Sequence, residues 1–187
     1  MNTVASPNWL RSYYFTRAGI AAAWVLAGFT VGKSGPAIAS VLLIAYPAWD
    51  AFANLIDARR SGGLRANPSQ TVNAIVSVIT AIAVAIALGR SPNAVLAVFG
   101  AWATLSGLSQ LATGSRRWGA GAQWAMVLSG AQSALAGAFF IKRAAGPDMP
   151  GITDVAPYAA FGAFYFLVSA VWLTVAEMRK HSAQPVA

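Results

Sequence analysis

Cysteine is absent from this chain of 187 residues. That excludes a disulfide framework, a thiol nucleophile and a thiolate metal site. Histidine occurs once, as His181 in the polar tail, and no pair of His, Cys or carboxylate residues has metal-ligand spacing. No metal and no cofactor is therefore expected. The chain also lacks a Gly-rich phosphate loop, a Ser-His-Asp arrangement and any His inside an apolar stretch that could hold haem. The expectation is a protein that is not an enzyme. Acidic residues number 5 and charged residues only 10% of the total, where a soluble domain usually carries about a quarter. Too little polar side chain is present to clothe a water-facing surface.

What the chain does have is apolar length. It is 57% hydrophobic, with a mean hydropathy of +0.58. Six apolar stretches span about 13–31, 36–56, 70–89, 93–113, 121–141 and 154–176. Each suffices to cross roughly 30 Å of hydrocarbon as a helix. A bilayer leaves backbone groups only their own partners, so the choice is helix or closed barrel. Barrel strands need about ten alternating residues, and these continuous runs are about twice that, so helices are expected. The fold class is all-α and integral to a membrane, with six transmembrane helices in one domain over 1–187.

The same helical hairpin recurs three times, over about 13–60, 70–117 and 121–180. At an offset of 56, Arg17 falls on Asn73, Pro36 on Pro92, Tyr46 on Trp102, Asp50 on Ser106, Asn54 on Gln110 and Arg60 on Arg116. The third copy keeps that offset in its first helix, placing Asn73 on Ser129. It is then read with seven extra residues in its turn, which puts Ser106 on Ser169 and Arg116 on Arg179. Such self-similarity marks one supersecondary unit used repeatedly. Tight turns at Gly32–Pro36 and Gly89–Pro92 predict close antiparallel hairpins for the first two copies, with Pro at the first helical position. The third turn, Lys142–Gly151, is longer.

The net charge of +8 is not a nucleic-acid signal, because the basic residues sit between the apolar runs rather than on one continuous face. They are topology signals. Arg11, Arg17, Arg59, Arg60, Arg65, Arg116, Arg117, Arg179 and Lys180 fall on the side of the termini, and Lys33, Arg90, Lys142 and Arg143 on the other. Nine against four predicts both termini in the cytoplasm. Trp9, Tyr13, Tyr14, Trp118 and Trp124 are expected near that same interface. Ala37-Ile38-Ala39 before Ser40 has the look of a signal-peptidase site. Cleavage there would remove a helix with a counterpart in every copy, so it is not expected.

Arg17 and Asp50 are the charges placed well inside the apolar spans. Counted from the first turn, both lie at one depth, roughly 21 Å in at 1.5 Å per residue. An isolated charge there costs at least ~2.5 to 3.5 kcal/mol, and pairing relieves it. The aligned positions Asn73 with Ser106, and Ser129 with Ser169, are polar too, so each hairpin is expected to carry a cross-helix contact. The architectural reading is a clamp between helices. The functional alternative is a proton or ion site. Asp50, Asn54 and Asp57 share one helix face, repeated as Ser106, Gln110 and Thr113. Asn73, Ser77 and Thr80 form a similar face, as do Ser129, Ser133 and Gly137. Stripes of this kind are helix–helix contact surfaces more often than hydrated paths. Pro47 is expected to kink the second helix near Asp50.

Several of these residues carry a family resemblance. Arg17-Ala18-Gly19 opens an apolar helix, Pro36 opens the return helix, Tyr46 and Asp50 stand four apart near its end, and Arg59-Arg60 closes it. In this the chain resembles the bacterial acid-resistance membrane proteins of the HdeD type, over about residues 11–181. It departs from their pattern at Ala51, where the family often has Gly (Gly107 keeps it in the second copy), at Pro47 and in the long third turn. The resemblance implies a six-helix inner-membrane protein, connected to acid stress in some members, and no catalytic residues; the expected role is non-enzymatic, in acid or envelope stress resistance through partner or lipid interaction. Its partners would be the lipid bilayer and a second copy or another membrane protein. The alternative is a small proton- or solute-conducting transporter using the Arg17–Asp50 region.

Overall fold

The computed structural model describes residues 7–116 and 124–182, and every regular element among them is a helix. They are α1 (Pro7–Ala27), continued by a π turn (Gly28–Gly32), α2 (Pro36–Arg60), α3 (Pro68–Leu88), α4 (Pro92–Arg116), α5 (Trp124–Ala144) and α6 (Ile152–Ser182). Arg117 and Trp118 lie outside the described residues, as do the side chains of Thr113, Arg116, Trp124, Lys180 and His181. Helices α1, with its π turn, α2, α3, α4 and α6 are long and apolar enough to cross a membrane. The remaining one, α5, has 21 residues and ends in Lys142 and Arg143.

Helix boundaries follow local chemistry. Pro36, Pro68 and Pro92 open their helices, where a missing N–H leaves no bond unmade. Ser91 Oγ accepts from the Ala94 amide at 3.1 Å and caps α4. The α2–α3 turn runs through Gly62 and Gly63 at φ of 101° and 95°, where a Cβ would be strained. Asn67 Nδ2 organises that turn by donating to the carbonyls of Ala58, Ser61 and Gly63. The long third turn is held likewise: Asn93 Nδ2 donates to the carbonyls of Ala144, Gly146 and Asp148. Pro47 sits buried inside α2, and Pro157 inside α6, so an internal proline is not confined to the first copy.

The packing corrects the expected hairpins. The closest pairs are α4 with α5, α1 with α6, and α2 with α3, while α1 with α2 and α5 with α6 stand apart and α3 with α4 is intermediate. Each close pair joins the second helix of one copy to the first helix of the next, and α6 returns to α1. The tight contacts therefore run between copies. Residue size explains this. Gly100 and Gly107 on α4 meet Gly137 and Gly130 on α5 backbone to backbone, as small residues permit between apolar helices. Within the first copy, by contrast, bulky side chains span the gap. Trp24 Nε1 donates to the Leu42 carbonyl at 2.7 Å, and Tyr13 Oη to the Ala53 carbonyl at 3.2 Å.

The third copy also takes a different register from the one expected. Trp102 Nε1 donates to Ser77 Oγ at 3.0 Å, and Tyr158 Oη bonds Ser133 Oγ at 3.0 Å. The second bond is the first moved on by 56 positions in both partners. Tyr46, Trp102 and Tyr158, spaced by the same 56, meet edge to face at 5.8 Å and 6.2 Å between ring centroids. No residues are gained in the turn at this level. The extra length lies at the far end of α6, a helix of 31 residues against 25 in α2 and α4. Gly162, not Ser169, is then the counterpart of Asp50 and Ser106.

Around these rings the core gathers Trp24, Leu43, Val84, Leu96, Phe99, Phe140, Ile152 and Val155. The opposite faces are apolar and exposed: Ile75, Ile79, Ile82 and Ile86 on α3, and Phe161, Phe164, Val168 and Trp172 on α6. That inside-and-outside apolarity is the signature of a protein solvated by lipid tails.

Candidate functional site: a charged network among four helices

Counting residues from the turn placed Arg17 and Asp50 at one depth, and they form an ion pair through Arg17 Nη2 and Asp50 Oδ1. Their side chains keep 11% and 19% of their surface exposed. Every helix nearby contributes to them. From α1, Tyr13 Oη accepts from Arg17 Nη1 at 3.1 Å. On α2, Asn54 Nδ2 donates to Asp50 Oδ2 at 3.0 Å and to the Asp50 carbonyl at 2.8 Å. From α3, Ser77 Oγ donates to Asp50 Oδ2 at 2.8 Å, and from α4 Trp102 donates to Ser77. On α6, Phe166 lays its ring against the guanidinium, with Cζ 4.1 Å from the centroid.

The outcome is a chain of donors and acceptors running Tyr13, Arg17, Asp50, Ser77, Trp102 across four helices. Both carboxylate oxygens of Asp50 are engaged. Arg17 Nε is buried and without a partner among the described residues. Charged hydrogen bonds of this kind are the strong ones, and with Arg17 Nε the one unpaired atom of the pair among the described residues, the network favours one arrangement of the helices that share it.

The other expected site residues divide. Asn54 belongs to the network. Asp57 does not. It accepts from Gln70 Nε2 at 3.3 Å and Ser61 Oγ at 3.4 Å, tying the end of α2 to the start of α3. Asn73 and Ser106 do not bond each other, and the Asn73 Oδ1 and Gln110 Oε1 atoms are buried without partners among the described residues. Ser129 and Ser169 do not meet either, since Ser169 Oγ donates to the Tyr165 carbonyl of its own helix. The cross-helix contact of the second and third copies is instead made by Ser77 with Trp102 and by Ser133 with Tyr158. It lies one turn along from Asn73 and Ser129, where a ring long enough to span the gap is available. Tyr13 is no interfacial anchor. It is buried, with its hydroxyl inside the network. Its signal in the sequence was the four-residue step to Arg17, which puts both on one face.

Described residues that are all but entirely helical, apolar within and without and with one buried ion pair at their centre, define the class: a multi-pass membrane protein. Residues 72–142 match the family model described as a short repeat of unknown function, DUF308. That family includes the HdeD-type membrane proteins. The matched stretch runs from α3 through α4 to the end of α5, and so takes in Ser77 and Trp102 but not Arg17 or Asp50. No curated protein matches the chain, and no solved structure does.

Proposed function

We propose that this chain is a non-enzymatic protein of the bacterial inner membrane that acts in acid or envelope stress resistance through lipid or protein partners. The observation that carries this reading is the engagement of Asp50. Oδ1 takes Arg17, and Oδ2 takes both Asn54 and Ser77. A carboxylate so fully used holds helices together and has little capacity left for cargo. The exposed faces are then the working surface, suited to lipid and to a second copy or another membrane protein. The test is flux. Proteoliposomes holding the wild-type protein should pass protons and small solutes no faster than empty ones, and Asp50→Asn should leave that unchanged.

The transporter reading has one observation in its favour, the 19% of Asp50 side-chain surface that remains exposed. Proton flux abolished by Asp50→Asn would establish it and sink the clamp.

In the orientation we propose, the end of the bundle that carries the termini faces the cytoplasm, and the basic residues on that side, apart from the buried Arg17, lie there. The native chain has no cysteine, so single introduced thiols report cleanly. Ser34→Cys, Ser91→Cys and Ala145→Cys should react with an impermeant reagent from the periplasmic side, and Ser61→Cys and Ser115→Cys should not. The reverse pattern would invert the topology.

A further inference from the structure

The six helices divide unequally. Helices α2 to α5 form a continuous body through α2 with α3, α3 with α4, and α4 with α5. Helices α1 and α6 form a second closely packed pair, pinned by Arg11 and Glu177 at 2.6 Å and by Ile152 seated against Gly28 and Gly32. Between this pair and the body the backbones stand apart on both sides, along α1 with α2 and along α5 with α6; side chains bridge both gaps, and on the α5 side Tyr158 bonds Ser133 at 3.0 Å and Tyr165 Oη donates to Gln132 Oε1 at 2.7 Å.

The chain joins the pair to the body twice, through residues 33–35 and 145–151. Both connections lie at the same end of the bundle. At the other end of the pair α1 begins and α6 finishes, and no described segment joins either to the body there. The π turn at Gly28–Gly32 leads into one connection, and π turns within helices are frequent at functional sites. The second connection is anchored to the body by Asn93 and by Arg143 with Asp154 at 2.8 Å. Along the seam between α1 and α2 the bridges are side chains in antiparallel register. Trp24 to Leu42 lies nearest the connections. Arg17 to Asp50 and Tyr13 to Ala53 follow, and Arg60 over the Trp9 ring at 4.5 Å comes last.

We infer that α1 and α6 move together as a two-helix arm, hinged at residues 28–35 and 145–151 and latched to the body by the Arg17–Asp50 pair on the α2 side, with the weaker neutral bond of Tyr165 to Gln132 on the α5 side. Opening occurs at the end that carries the termini. It uncovers Asp50, Ser77 and Trp102 to that side of the membrane. The close α1–α6 contact is carried along intact, because hinge closure rotates rigid units about a few residues at element ends. A lever of about 30 Å turns a rotation of about 10° into a displacement of about 5 Å at its tip. The motion is independent of what the protein binds.

Spin-label distances in lipid nanodiscs test it. The moving pair is Ser12→Cys with Arg59→Cys, both exposed, on the arm and the body at the end of the termini. Leu26→Cys with Val41→Cys reports the hinge end, Ser12→Cys with Val175→Cys the arm alone, and Arg59→Cys with Val72→Cys the body alone. Adding Asp50→Asn should give the Ser12–Arg59 pair a second, longer component by about 5 Å, on the same lever estimate, and leave the other three distances unchanged. Should Asp50→Asn fail to fold, the neutral double Arg17→Gln with Asp50→Asn strands no charge and reports in its place. A Ser12–Arg59 distance that stays single and unchanged overturns the arm. Lengthening in all four pairs also overturns it, since that is general loosening without a hinge.

Discussion

Asp50→Ala lowers the thermal stability of the purified protein in detergent by more than Arg17→Ala and Asp50→Ala together. The single change strands the Arg17 guanidinium among Tyr13, Phe166 and the apolar core, takes the acceptor from Ser77 Oγ and leaves Asn54 Nδ2 only the carbonyl of residue 50. Removing one partner of a buried pair typically costs ~3 to 5 kcal/mol, because the remaining charge is desolvated and unpaired. The double change removes that charge as well, so part of the loss is recovered. A double-mutant cycle should give a coupling of at least about 1 kcal/mol, within the range found for residues in one network. Additive losses would show that the two side chains do not act as a pair. Arg17→Lys is a useful third variant. It keeps the charge but loses the flat group that lies on Phe166 while bonding Asp50 and Tyr13, and it should fall between wild type and Arg17→Ala.

The second large effect is expected at the glycines between α4 and α5. A methyl on Gly107 would sit 2.5 Å from the Ala134 amide nitrogen and 2.6 Å from the Gly130 carbonyl oxygen. One on Gly137 would sit 2.5 Å from the Gly100 carbonyl oxygen and from the Thr104 amide nitrogen. Those neighbours are backbone and cannot swing aside, so the two helices must separate along their length. Overpacking of this kind costs typically about 1–3 kcal/mol and occasionally more. Gly107→Ala with Gly137→Ala should abolish a cooperative thermal transition or lower its midpoint sharply. Gly19 supplies the control, since nothing lies within 4 Å of a Cβ there. Gly19→Ala should be neutral or stabilise slightly, as Ala exceeds Gly in a helix by about 0.5–1 kcal/mol. Equal behaviour of Gly19→Ala and Gly107→Ala would remove the case for close backbone contact.

How far the sequence foretold this depended on the kind of information each feature carries. Apolar run length and proline position are local, and both marked the helices. The depth of Arg17 and Asp50 was legible because helix rise is fixed and a short turn sets the origin of the count. Helix partners were not legible in the same way. A stripe at helical spacing shows that a face is used without showing what faces it. The short turns at Gly32–Pro36 and Gly89–Pro92 suggested that chain neighbours pack closest, yet side-chain volume decided otherwise. Trp24, Arg17 and Tyr13 hold α1 away from α2, while glycine lets α4 and α5 touch. The pairs Gly100 with Gly107 and Gly130 with Gly137 were visible as matching seven-residue steps, and that was the available signal. The register of the third copy is obscured in the sequence by Ser169, a polar residue seven positions beyond Gly162 that mimics a match to Ser106. The equivalence of Ser77–Trp102 with Ser133–Tyr158 needed both partners of each bond in view.

The return of α6 to α1 has a consequence for how the protein is made. Arg11 and Glu177 are 166 positions apart in the chain. At about 5–20 residues per second, α1 is in the bilayer for roughly ten to thirty seconds before its partner helix is synthesised. Asp50, only 33 positions beyond Arg17, emerges far sooner. The nascent chain therefore neutralises the charge in its first helix with its second, long before the last helix arrives to pack against the first. A ribosome stalled late in the message would leave α1 lodged in lipid with its charge already matched and Tyr14 and Arg17 without the Phe166 ring that α6 brings.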